Sequence, residues 1–457
     1  MRHPSGIPIA LMLVLAGSGV SRAVRADETA SPAPASESAR TVPPDVVIPG
    51  VLSLDEALRL LRERGLDLLV ADAAVRTAQG TAQTAAGIAN PSVSVSDGPT
   101  FNYIITGPGC SGCSRQNISF GVGDNAATFD ELVGKRGLRI EVARAVLAAT
   151  RLGRADALRN LEFGVKQQYV QVALAADTLD LTREIAHSLE QTLAVTRQQY
   201  PRMIDEGGLA RVEIQKLEGD QAVSSAIQAL RQAKVGLAFL LGVRRIAPDF
   251  DVERSTLSFR VPAALESAAP LPLIRRAIEL RPDVAALGYQ RLRADASLQL
   301  AQRQQMPDVN LSLNYNSLGL GEGGASPPYF AGQVQANIPV FYQMQGEIRR
   351  ARADLTTQSL QHAKKLAQVA SDVETAFAAY KANRELVERM NARLLGRATM
   401  ARDVVEKQYR GGTLKLSDFL DSQRTYIATR LEYLQDLAGY WTAVYQLEQA
   451  VSTELRR

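Results

Sequence analysis

Two hydrophobic periods take turns along this chain. In four places apolar residues alternate strictly with small or uncharged polar ones. Val93 and Val95 alternate with Ser92, Ser94 and Ser96, and Ile118, Phe120 and Val122 alternate with Ser119, Gly121 and Gly123. Val309, Leu311, Leu313 and Tyr315 alternate with Asn310, Ser312, Asn314 and Asn316. Val334, Ala336 and Ile338 alternate with Gln333, Gln335 and Asn337. A period of two predicts strands that are apolar on one side, here over 91–105, 117–132, 307–319 and 329–341. A soluble sheet has this pattern, and so does a barrel wall with lipid outside and water inside.

The other period is seven. No proline falls between Lys135 and Tyr200, and Leu158, Val165, Val172, Leu179, Ala186, Leu193 and Tyr200 stand at heptad spacing. Leu366, Val373, Tyr380, Val387, Leu394, Ala401 and Gln408 form a matching seam later in the chain. Helices are predicted over 136–200 and 346–409, each about 100 Å long at about 1.5 Å per residue. Helices of that length have no room in a compact domain.

The order of elements is written twice. LSLDEALRLL (52–61) is echoed by LPLIRRAIEL (271–280), ANPSVSVS (89–96) by QMPDVNLS (305–312), and RIEVARAVL (139–147) by EIRRARADL (347–355). EGGLARVEIQKLEGD (206–220) and YRGGTLKLSDFLDSQ (409–423) repeat a glycine-rich turn running into a helix. Such duplication predicts two like units, 51–242 and 271–457, joined by a linker over 243–270. Each unit reads as helix, strand pair, long helix, tip turn (201–208 or 410–413) and return helix (209–242 or 414–455).

Composition narrows the function classes. Residues 1–26 have a basic start, an apolar stretch from Ile7 to Ala16 and Val24-Arg25-Ala26 at their end, the pattern of a removable export signal. Residues 27–50 hold five prolines among Ser, Ala and Glu and are expected to form a flexible arm. The net charge of +4 falls to +1 without Arg2, Arg22 and Arg25, giving no electrostatic case for nucleic acid. His3, His187 and His362 are the only histidines, and there is no HExxH, phosphate loop or serine elbow. No enzyme, cofactor or metal site is expected. Four strands cannot close a membrane barrel, which needs about eight, so if the strands enter a membrane other copies of the chain must pair their edges.

These features together resemble the TolC family of outer-membrane efflux proteins, over about residues 52–455. GKRGLRIEVARA (134–145) is similar to the heavy-metal efflux branch. The resemblance implies a mainly α fold with a small β part. Three chains would form a 12-stranded barrel in outer-membrane lipid, continued by a periplasmic tunnel of twelve helices, with the linker in an equatorial belt. It implies an efflux channel that docks a periplasmic adaptor and an inner-membrane pump and passes metal cations or small toxic compounds. A type I protein-secretion conduit is the alternative, and a trimeric coiled-coil scaffold a more distant one.

Candidate site residues follow from the turns. Gly207, Gly208, Gly411 and Gly412 are expected to supply positive φ and close approach at docking tips. Asp418 and Asp421, one helical turn apart, match family positions that line a periplasmic aperture, where a ring of carboxylates attracts cations. By the spacing from the glycine pairs, Ile214 and Leu217 are their first-unit counterparts. Tyr409 and Lys415 flank the turn and are candidate locks. Cys110 and Cys113, the only cysteines, suit a disulfide in an exported loop.

Overall fold

The structure is a computed structural model that describes residues 45–99, 116–202, 204–317, 329–411 and 413–455. The expected export signal, most of the arm behind it, and Cys110 and Cys113 lie outside the described residues. Each repeat opens with a short helix that breaks into a longer one: α1 (Leu54–Arg64) into α2 (Leu66–Ala86), and α6 (Pro270–Leu280) into α7 (Pro282–Arg303). Gly65 makes the first break, where a Cβ would lie 2.6 Å from the Leu61 carbonyl oxygen. Pro282, at the first position of α7, makes the second, because it brings no N–H and a helical φ.

Four strands form one antiparallel sheet in the order β2 (Ser92–Pro99), β3 (Gln116–Gly123), β5 (Asp308–Ser317), β6 (Tyr329–Asn337). Its register aligns Val93, Val122, Leu313 and Gly332 in one cross-strand row and Val95, Phe120, Tyr315 and Phe330 in another on the same face. The opposite face carries Ser94, Gly121, Asn314 and Ala331, then Ser96, Ser119, Asn316 and Tyr329. The alternation in the sequence is thus realised as one apolar and one polar surface.

The strand expected to run to 132 stops at Gly123. Asp124 Oδ1 accepts from the N–H groups of Ala126 (3.1 Å) and Leu311 (2.8 Å), and Asn125 and Ala126 turn to positive φ. A short helix, α3 (Ala127–Leu132), follows. β6 likewise ends at Asn337 rather than 341.

The first long helix, α4 (Lys135–Gln199), is unbroken and returns as α5 (Glu206–Leu240). The second departs from expectation. It runs as α8 (Gln345–Arg389), a single π turn (Met390–Leu394) and α9 (Leu395–Arg410), then returns as α10 (Leu416–Val451). Near the sheet, α4 lies between α2 and α7, and α7 packs on α8; farther away the row is α5, α4, α10, then α8 and α9. The main core forms where the linker crosses this row. There β1 (Val51–Leu52) pairs in parallel with β4 (Asp251–Val252). The Tyr169 hydroxyl donates to Leu52 O at 2.8 Å and accepts from Glu253 N at 2.9 Å. Tyr440 donates to Arg260 O at 2.8 Å and Trp441 to Ser258 O at 3.2 Å. Residues 243–270 are therefore a strap hydrogen-bonded to buried aromatics, not a loose connection.

Candidate functional site

The two tip turns stand together on a small hydrophobic cluster separate from the main core. Leu193 of α4, Val212 of α5, Tyr409 of α9, and Phe419 and Leu420 of α10 are buried in it. The rings of Tyr409 and Phe419 stack 4.7 Å apart with planes 6° from parallel. Arg402 lies over Tyr426, 4.4 Å from the ring centroid, and Gln423 donates to Ser188 Oγ at 3.0 Å. All four long helices are thereby joined at the tip.

The glycines play different parts from those expected. Asp205 caps α5 by accepting from Gly208 N at 2.9 Å, so Gly207 and Gly208 lie inside the first helical turn, not before it. Neither adopts positive φ, and Gly411 has φ −79°. Gly412 lies outside the described residues. Close approach does hold at Gly208, where a Cβ would stand 2.7 Å from Ile204 Cγ2 and 3.6 Å from Leu416 of the other turn. Thr413 closes the second turn by donating both its N–H and its hydroxyl to Gln408 O.

Asp418 and Asp421 are exposed on the side of α10 away from Phe419 and Leu420. Ser417 Oγ donates to Asp418 at 3.3 Å, and among the residues whose side chains are described no cation pairs with either carboxylate. The buried pairs Val212–Gln215 and Leu420–Gln423 match one another in the two return helices. Asp421 accordingly corresponds to Glu213 and Asp418 to Ala210, which corrects the assignment to Ile214 and Leu217. Glu213 differs in being neutralised by Arg197 at 2.9 Å. Asp418 and Asp421 thus stand unpaired at the second turn, where they are able to attract cations.

Tyr409, expected beside the turn, is only 6 % exposed, and its hydroxyl lies 3.5 Å from Thr196 Oγ1 of the first hairpin. Lys415 is exposed on the rim of a groove of about 600 Å³ between the turns, lined also by Asp205, Gly208, Arg211 and Leu416. Phe419 and Arg402 were not singled out from sequence, and Leu193 was read only as a member of the heptad seam. The signal for Phe419 was present in an aromatic pair, Tyr409 and Phe419, standing either side of a glycine turn.

Residues 273–453 match the family model described as Outer membrane efflux protein. The pyoverdine export outer membrane protein OpmQ of Pseudomonas aeruginosa is 25% identical over 422 residues, covering 86% of this chain and 85% of its own length. The outer-membrane channel OprN superposes with a TM-score of 0.72 at 17% identity, over 88% of this chain and 91% of its own. CusC, whose structures describe transmembrane channel formation, gives 0.71 at 18% identity, over 90% and 96%.

Proposed function

We propose that this chain, a TolC-family outer membrane efflux channel protein, works as a homotrimer whose polar tunnel ends in an acidic gate at Asp418 and Asp421. The observation carrying the assembly is that both layers of the chain end in open edges. Among the described residues β2 and β6 each have one strand neighbour, so each leaves a row of backbone N–H and C=O groups without a ladder partner there. In the helical row, α5 and the α8–α9 arm are the outer members. α5 exposes Ile214, Leu217, Val235 and Phe239, and the other arm exposes Leu360, Leu386, Met400 and Val404. One edge fits the other of a second copy, head to tail, and such contacts close into a ring. Three copies would supply twelve strands and twelve helices. The apolar sheet face would meet lipid and the Ser, Asn and Gln face would line the pore.

In that ring the two tips of each chain would face the periplasm and present the groove beside Lys415 to an adaptor. The adaptor in turn connects to an inner-membrane pump. Asp418 and Asp421 would each become a ring of three carboxylates. The channel performs no chemistry on its cargo, so cargo choice rests with the pump; the pyoverdine export named for OpmQ stands beside metal cations as a candidate cargo class.

The test is single-channel conductance of the purified protein in a planar bilayer, beside the Asp418→Asn/Asp421→Asn variant. A small cation-selective conductance that rises or loses selectivity in the variant is expected. A variant indistinguishable from the native channel would move the gate elsewhere.

A further inference from the structure

The π turn at Met390–Leu394 is the main departure of the second hairpin from the first, and it has a measurable consequence. From Gln345 to Arg410 the second arm is one residue longer than α4. A π turn absorbs one extra residue in an otherwise α-helical run, here through Leu395 N donating to Met390 O. The packing seam records the insertion. Above the turn, Val373, Tyr380 and Val387 are buried at heptad spacing. Below it the sequence places Leu394, Ala401 and Gln408 in the seam, yet all three are exposed. Leu395, Arg402 and Tyr409 occupy it instead, one residue later in each heptad.

The same level is sparsely packed on both helices of the hairpin. α8 and α10 are held together above it by Tyr380 against Tyr440 at 6.0 Å, and α9 and α10 below it by Arg402 over Tyr426 and Tyr409 on Phe419. Between them, Met390 is buried but belongs to neither hydrophobic cluster. The facing stretch of α10, residues 430–436, contains no fully buried residue, and only Tyr433 there, half-buried, packs on the main core. Arg430 Nε is enclosed there without a protein hydrogen-bond partner among the described residues. α4 crosses between its own buried residues Leu179, Leu181, Leu189 and Leu193 without a break.

We infer that this π turn is a hinge, about which the tip of the second hairpin, with Asp418 and Asp421, moves relative to the first hairpin. This inference rests on the gate reading above. Its location follows from three features of one level: a weak helical turn, the gap between two separate hydrophobic clusters, and a facing helix with no fully buried residue there. The two halves of the arm can then change angle without opening either cluster.

Deletion of Asn391, which is exposed, tests it cleanly. With one residue removed, Leu395, Arg402 and Tyr409 fall into heptad register with Val387 in a continuous α-helix. Tip packing is kept while the hinge is lost. In planar bilayers the deletion is expected to lower the open fraction roughly tenfold, as for a two-state equilibrium moved by about 1.4 kcal/mol. It should also cancel the gain produced by Asp418→Asn/Asp421→Asn when the two are combined. A deletion variant that opens like the native protein overturns the hinge. If the asparagine variant alone matches the native channel, the acidic gate fails, while deletion against native protein still decides the hinge. Hydrogen exchange on the native protein is the second measurement, and it decides the matter even if the deletion variant does not assemble. Amides of 388–396 should exchange roughly tenfold faster than those of 180–188 in α4; equal protection overturns the inference.

Discussion

At the scale of single residues, the two repeats solve one backbone problem with different side chains. Gly134 and Met344 each precede a long helix in the left-handed region, with φ of 77° and 57°. Nothing lies within 4 Å of a Cβ built on Gly134, so Gly134→Ala meets no clash and tests conformation alone. It should cost about 1 kcal/mol, and Met344→Gly should recover up to about as much, because only glycine adopts this region without penalty. Denaturant midpoints of the purified protein check both, and a neutral Gly134→Ala would refute the argument. The neighbouring Gly-Lys-Arg stretch also changes meaning. Lys135 is buried, donating to Met306 O at 2.9 Å and Asp308 at 2.7 Å, while Arg136 reaches Glu131 and Ala86 O. The motif clamps the two repeats together beneath the sheet. One-residue reading could not find this clamp, because its partners lie about 170 residues away.

At the scale of elements, charge fixes how the broken helix α6–α7 sits against its neighbours. Arg281, at the break, is buried and holds Asp283 at 2.7 Å and Asp372 of α8 at 3.0 Å. Lys365 and Arg159 approach Asp283 at 3.3 and 3.8 Å. Burial raises the Asp283 pKa, but hydrogen bonds and charge from Arg281, with Arg159 and Lys365, outweigh it and lower it to about 2. A carboxylate with a depressed folded pKa stabilises fully above its ordinary value of 3.8, and that contribution fades as pH falls from there towards about 2. Asp283→Asn should remove this part of the acid sensitivity and destabilise the protein at neutral pH by roughly 3 kcal/mol, since it strips a partner from a buried cation. Unfolding followed from pH 7 to 2 measures both; a variant with an unchanged acid limb would exclude Asp283 as its source. Strands and helices were legible here because period two and period seven are local. The π turn was not, since a one-residue insertion leaves composition and amphipathicity intact and shows only in which side chains are covered.

At the scale of the whole molecule, the proposed trimer rests on the open edges of sheet and helical row. Leu217 is 66 % exposed on α5 and belongs to neither hydrophobic cluster of its own chain. Leu217→Lys should therefore leave the single chain folded, with circular dichroism unchanged, and shift native mass from the trimer to smaller species. A variant that remains fully trimeric would place the intersubunit seam on another face of α5.

The sequence by itself determined the duplicated plan, the two-faced strands and the heptad arms, because each follows from the spacing of apolar residues along one segment. It also located the exposed acids Asp418 and Asp421, since carboxylates near a helix start need no distant partner. Tertiary structure alone decided which glycines lie within helix and how the return helices correspond. It also decided that Tyr409 is core, and that the second arm slips by one residue near its middle. Those depend on contacts between segments far apart in the chain, where a side chain is buried or exposed according to what folds against it.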